Sequence, residues 1–215
     1  MKRSLFVAIL LVLCSVVRAQ PFIDEIRAFR HQDSMQAPPA NANLFIGSSS
    51  LRLWQNIHED LAPYTVINRG FGGSTLPDVI RYVPEVVNPY KVKQVIIYCG
   101  ENDFAASDSV TADMVVERFR TLFGLIRQHQ RNVPVVFISI KPSPSRQHLL
   151  PKMREANDRI RAFLKKQRKA RFLDVYSLMI TPDGRPREEL FGPDRLHMNA
   201  QGYAIWRKAL LPLMK

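Results

Sequence analysis

The chain has 215 residues, 46% of them hydrophobic and 23% charged, enough for one sizeable domain with its own buried core. A formal net charge of +12 suits nucleic acid, an anionic envelope surface or plain solubility, and alone it selects none of these. Only two cysteines occur, Cys14 and Cys99, and loss of Cys14 with an N-terminal leader excludes an intramolecular disulfide, so stability must come from the core.

Residues 1–19 have the pattern of a secretory signal peptide. Lys2 and Arg3 form a basic start, residues 5–17 are almost wholly apolar, and Val17-Arg18-Ala19 offers a cleavage site before Gln20. The apolar run is shorter than the ~20 residues that span a bilayer. Cleavage rather than a retained anchor is therefore expected, with no stable membrane insertion afterwards and a secreted or periplasmic location. Leu13 stands where a lipoprotein signal has a small residue, which argues against lipidation of Cys14. Cleavage would remove Lys2, Arg3 and Arg18 and lower the net charge to +9.

Residues 20–41 read as an N-terminal helix and linker. Phe22, Ile26 and Phe29 share one face of a helix over 21–33, and Pro38-Pro39 breaks it. The main domain, residues 42–215, alternates strand and helix. Strands are expected at 43–46, 65–68, 92–98, 133–140 and 171–176. Helices are expected at 51–61, 76–87, 110–130, 152–169 and 199–213, the last capped by Asn199. The run 92–98 is nearly continuous and rich in β-branched residues, as in a parallel strand buried on both faces. Cys99 follows it and reads as a buried structural thiol. The basic cluster at 165–171 sits at a helix end, where cations complement the dipole. The alternation predicts an α/β fold, a three-layer α/β/α sandwich around a mostly parallel five-stranded sheet. Residues 142–151 and 181–194 are the irregular segments.

In such sheets sites form beyond the carboxyl ends of the strands. Four polar or glycine-rich segments fall there: Gly47-Ser48-Ser49-Ser50, Gly72-Gly73-Ser74, Gly100-Glu101-Asn102-Asp103 and Asp194-Arg195-Leu196-His197. A serine at a helix N-terminus can act as a nucleophile or merely cap the helix, and spacing alone does not choose among three serines. Gly73 can offer an unobstructed N–H or a simple turn. Asn102 can donate its amide to an oxyanion or serve as a turn residue. His197, three residues after Asp194, has a carboxylate to orient it and is the best candidate base among five histidines. His31, His58, His129 and His148 lack such a partner and read as surface or packing residues. There is no HExxH, paired-cysteine, GxGxxG or phosphate-binding lysine pattern, so neither a metal nor a nucleotide cofactor is expected.

Together the four segments resemble the blocks of the SGNH, or GDSL-like, hydrolase family, in the right order and each after the right strand. The resemblance covers residues 43–215. It implies Ser49 as nucleophile, His197 as base and Asp194 as the group that orients it. It implies an oxyanion hole from the N–H groups of Ser49 and Gly73 and the amide of Asn102, and a flavodoxin-like strand order. Ser48 and Ser50 depart from the family pattern, which usually has Asp and often Leu there. The run Gly47 to Ser50 followed by Leu51-Arg52-Leu53-Trp54 is similar to the branch of platelet-activating-factor acetylhydrolases and carbohydrate acetylesterases.

The expectation is thus a secreted serine esterase without cofactor, acting on short-chain, above all acetyl, esters of carbohydrates. The alternatives are a lysophospholipase or thioesterase for long acyl chains, and an inactive member that binds glycan in the same cleft. The basic charge also raises a nucleic-acid partner, but the export signal and the lack of an aromatic-basic recognition pattern speak against it. Oligomeric state is left open by the sequence.

Overall fold

The computed structural model describes residues 21–215; the expected signal peptide, with Cys14, lies outside the described residues. Five strands form one wholly parallel sheet: β1 (Ala42–Gly47), β2 (Val66–Gly70), β3 (Val92–Tyr98), β4 (Val135–Ile138) and β5 (Ala170–Leu173), in the order β2-β1-β3-β4-β5. The central strands β1 and β3 pair in register from Leu44 opposite Val95 to Gly47 opposite Tyr98. Strand order reverses between them, which places the crevice for a ligand at their carboxyl ends.

The side-chain period of two divides each strand between two cores. Leu44, Ile46, Val95, Ile97, Val135 and Phe137 face one core. It is closed by α1 (Ile23–Met35), α4 (Leu76–Arg81), α5 (Val83–Val86), α7 (Ala112–His129) and α8 (Leu150–Lys165). Phe45, Ile96, Tyr98, Val136 and Ile138 face the other, closed by α2 (Ser49–Arg52), α3 (Ile57–Asp60) and α9 (Ala200–Leu210). This is the three-layer α/β/α sandwich. A further helix, α6 (Glu101–Ala106), follows β3 directly. No helix among the described residues is long and apolar enough to cross a membrane.

The structure corrects several expected elements. The helix expected at 51–61 is two helices, α2 and α3, separated by a turn. There Trp54 is buried and its indole N–H donates to Asp60 at 2.6 Å. The helix expected at 76–87 breaks at Tyr82, because Pro84 lacks an N–H and its ring collides with the carbonyl four residues back. β5 ends at Leu173 rather than 176. The Ser139 hydroxyl accepts the N–H groups of Val175 and Tyr176, at 3.0 and 2.9 Å, in place of a strand ladder. The loop expected over 142–151 holds a 3₁₀ helix at Pro144–Leu149 and leads straight into α8.

The N-terminal helix packs onto the domain. Ile26 is buried in the first core, the Phe22 ring meets Phe71 edge-on at 5.3 Å, and Asp33 pairs with buried Arg69.

Candidate active site

Strand β1 delivers Ser49 to the carboxyl edge of the sheet. Gly47 has φ +136, and a Cβ there would lie 1.8 Å from the Tyr98 carbonyl oxygen, so only glycine lets β1 turn into α2 against β3. Ser48 occupies the position just before α2, its side chain making no capping bond, and Ser49 is the first residue of the helix. Ser48 and Ser50 are buried, whereas Ser49 is half-buried and its Oγ lies 3.0 Å from His197 Nε2.

Near the far end of the chain, Asp194 and His197 form a compact unit. Asp194 Oδ1 accepts the N–H groups of Leu196 and His197, both at 3.0 Å. Its Oδ2 lies 2.6 Å from His197 Nδ1. An ionised carboxylate only accepts, so Nδ1 carries the ring proton and Nε2 keeps its lone pair toward Ser49. Burial pushes the Asp194 carboxyl up, but the backbone N–H groups of Leu196 and His197 and the bond from the His197 ring together outweigh it, holding it at about 2. The structure therefore brings Ser49, His197 and Asp194 into one hydrogen-bonded chain. The other carboxylates nearby do not reach the imidazole: Asp103 accepts from the Leu76 N–H and pairs with Arg118, and Asp183 binds Thr181 and Arg185. His31, His58, His129 and His148 are all exposed.

The three expected oxyanion donors belong to segments that are tied together. The Gly47 carbonyl accepts the Phe71 N–H at 2.9 Å and the Ser74 hydroxyl at 3.2 Å. The Ser74 carbonyl accepts the Asn102 amide at 3.0 Å, leaving that amide a second hydrogen. Asn102 lies in the first turn of α6, not in a simple turn. Gly73 is exposed with φ +72, a conformation that favours glycine, and the N–H groups of Ser49 and Gly73 have no acceptor among the described residues. Cys99 is fully buried, with its thiol pushed well up by burial and bonded to the Ser74 carbonyl, as a structural thiol would be. Among the described residues, no group of three or more His, Cys, Asp or Glu side chains converges where a metal could sit.

Two sets of supporting residues escaped the sequence reading. Glu25 on α1 accepts the Gly72 N–H at 3.0 Å and lies 3.6 Å from Arg52. Beneath the site, buried Glu101 accepts from Lys141, Tyr98 and Ser143, each at 2.8 Å, with Arg146 at 3.4 Å. Burial pushes the Glu101 carboxyl up, but Lys141 and Arg146 outweigh it and hold it below its usual range. Burial lowers the Lys141 ammonium against the pull of Glu101. The only sequence signal was a lysine ending an otherwise apolar run, followed by Pro142-Ser143-Pro144.

The profile of the GDSL-like Lipase/Acylhydrolase family matches residues 41–205. The chain belongs to this family. As a GDSL-like hydrolase it acts on esters. It is 27% identical over 177 residues to platelet-activating factor acetylhydrolase IB subunit alpha1 of Rattus norvegicus, covering 80% of this chain and 74% of that one. The fold of the hydrolase is shared with a GDSL-like lipase from Bacteroides thetaiotaomicron. That structure has a TM-score of 0.76 and 21% identity, over 87% of this chain and 96% of the other. A carbohydrate esterase family 3 protein from Talaromyces cellulolyticus superposes with a TM-score of 0.59 and 15% identity, over 80% and 95% of the two chains.

Proposed function

We propose that this GDSL-like hydrolase is an exported serine esterase that removes short acyl groups, acetyl foremost, from carbohydrate esters. The observation that carries the catalytic reading is the hydrogen-bonded chain Ser49–His197–Asp194, at 3.0 and 2.6 Å, beside N–H groups that lack acceptors among the described residues. In this reading His197 Nε2 takes the Ser49 proton as Oγ attacks the ester carbonyl carbon. The N–H groups of Ser49 and Gly73 and the Asn102 amide receive the negative oxygen of the tetrahedral intermediate. Its collapse breaks the bond to the alcohol, which leaves with the proton from His197. Water, deprotonated by His197, then attacks the acyl-enzyme, and the carboxylic acid is released with Ser49 restored.

Support for a short acyl group comes from the relatives named for acetylhydrolase and carbohydrate esterase activity. Within the loops 71–74 and 193–197 the exposed residues are Gly73, Pro193, Asp194 and Arg195, which offer no long apolar wall. Export rests on the signal-peptide pattern of residues 1–19.

The test is a hydrolysis screen of acetyl, butyryl and octanoyl p-nitrophenyl esters beside acetylated xylan and acetylated sialic acid. The expected result is a fall in kcat/KM from butyryl to octanoyl and release of acetate from a glycan. Each buried methylene is worth ~0.8 kcal/mol, so a long-chain enzyme would show a steep rise across the series instead. That rise would overturn the acetyl reading in favour of a lysophospholipase or thioesterase.

A further inference from the structure

Lys141 follows Ile140 just beyond β4 and is fully buried, an expensive place for an ammonium group. Its Nζ donates to Glu101 Oε2 and to the Leu196 carbonyl, both at 2.8 Å, and faces the Phe191 ring at 5.4 Å. These partners are telling. Leu196 immediately precedes His197, and Glu101 immediately precedes Asn102. The base and the side-chain oxyanion donor come from segments about a hundred residues apart, and one ammonium group bonds to the neighbour of each.

The loop that carries His197 needs such a tie. Pro193, Asp194 and Arg195 are exposed, and Arg195 holds a left-handed φ of +56 without being glycine. The Asp194 bonds and the Gly192 N–H to His197 carbonyl bond are internal to the loop. Two backbone carbonyls of the loop are held from outside: Leu196 by Lys141, and Arg195 by the Ser145 N–H at 3.0 Å. Both holds come from the segment 141–146, which also supplies the Ser143 and Arg146 contacts to Glu101. A core that needed only stability would do as well with an apolar pair here, since a buried ion pair rarely outperforms one.

We infer that Lys141 and Glu101 are positioning residues: their buried ion pair sets the His197 loop against the Asn102 helix and so aligns the base with Ser49 and the oxyanion hole. This rests on the assignment of Ser49, His197 and Asn102 made above. Both side chains are buried away from the surface a substrate would meet, so their loss acts on the chemical steps more than on binding.

The test measures kcat, KM and Tm on p-nitrophenyl acetate for the wild type, Ser49→Ala, Lys141→Met and the double variant Lys141→Met/Glu101→Gln. Lys141→Met alone leaves the buried Glu101 carboxylate with Arg146, at 3.4 Å, as its remaining charge partner and lowers Tm by roughly 10 °C. The double variant removes both charges, and its glutamine can still accept from Ser143 through the amide oxygen while the amide nitrogen donates to the Tyr98 hydroxyl. Its Tm is expected within about 4 °C of wild type. Its kcat is expected about 10²-fold below wild type, as for a misplacement of about 1 Å, with KM within about threefold. The downfield proton resonance of the His197–Asp194 hydrogen bond should shift or broaden with it. A double variant with wild-type Tm and wild-type kcat would overturn the inference and leave the pair a structural element only. Retained turnover in Ser49→Ala would instead overturn the catalytic assignment on which the inference rests.

Discussion

Replacement of Asp194 by asparagine separates two roles of the carboxylate, its charge and its control of the imidazole tautomer. Oδ2 lies 2.6 Å from His197 Nδ1. At that distance a carboxylate and an imidazolium attract by about 1.6 kcal/mol in water and about 6 kcal/mol at an effective dielectric of 20. The Asp194 side chain is 51% exposed, so screening draws the value toward the lower limit, about 2 kcal/mol. Loss of the charge alone, as in Asp194→Ala, should then lower kcat about 30-fold, with a further loss from the unanchored ring. Asparagine adds a worse fault. Oδ1 is committed to the N–H groups of Leu196 and His197, so the amide nitrogen must face His197 Nδ1. That ring nitrogen becomes an acceptor, the hydrogen moves to Nε2, and Ser49 loses its base. Flipping the amide would set its donors against two backbone donors. We therefore expect Asp194→Asn to lower kcat on the order of 10³–10⁴-fold, the scale seen for this change in serine proteases, and to be less active than Asp194→Ala. The assay is p-nitrophenyl acetate hydrolysis with circular dichroism as a control for folding. An asparagine variant as active as the alanine variant, or within tenfold of wild type, would refute the tautomer argument.

A fluorophosphonate should label Ser49, and Ser49→Ala should abolish both labelling and turnover, while Ser48→Ala and Ser50→Ala keep measurable activity; peptide mapping to either neighbour would disprove the assignment. Glu25→Ala removes the acceptor of the Gly72 N–H and should cost about 1 kcal/mol, or 2–4 °C in Tm, with kcat reduced more than KM is raised; an unchanged kcat would show that α1 does not support the oxyanion loop. Phe137→Ala empties a fully buried site whose ring centroid lies 4.6 Å from that of Phe119. It should destabilise by ~3–5 kcal/mol, read by urea denaturation, and a loss under 1 kcal/mol would contradict the packing described. Asp194 is held at about 2, below its value in an unfolded chain. Its contribution to stability is thus complete above pH ~4 and lost as pH falls toward 2. Because the group is half-exposed the loss should stay under about 1 kcal/mol, measured as the difference in acid unfolding between wild type and Asp194→Ala.

The composition of short segments determined much of this protein. Near-continuous apolar runs over 43–46, 92–98 and 133–140 mark parallel strands, because a strand buried on both faces is apolar at most of its positions. The four polar segments at strand ends named Ser49, Gly73, Asn102, Asp194 and His197 as candidates. Asp194 and His197 meet through three residues of one loop, so that pair was legible locally. Element ends were less so: Pro84 inside an apolar helical pattern and Ser139 capturing two backbone N–H groups decide where α4 and β5 stop, and the second of these is a contact across 36 residues. The choice of Ser49 over Ser48 and Ser50 required the tertiary structure or a family resemblance, since only the fold says which hydroxyl escapes burial and faces an imidazole 148 residues away. The supports of the site were invisible for the same reason. Glu25 reads as one more charge on an amphipathic helix, and Lys141 as a break in an apolar run. Their meaning lies in partners 47 and 40 residues distant. Local sequence encodes which backbone conformations and which faces are favourable, whereas the desolvation and pairing of a buried charge depend on what the fold brings beside it.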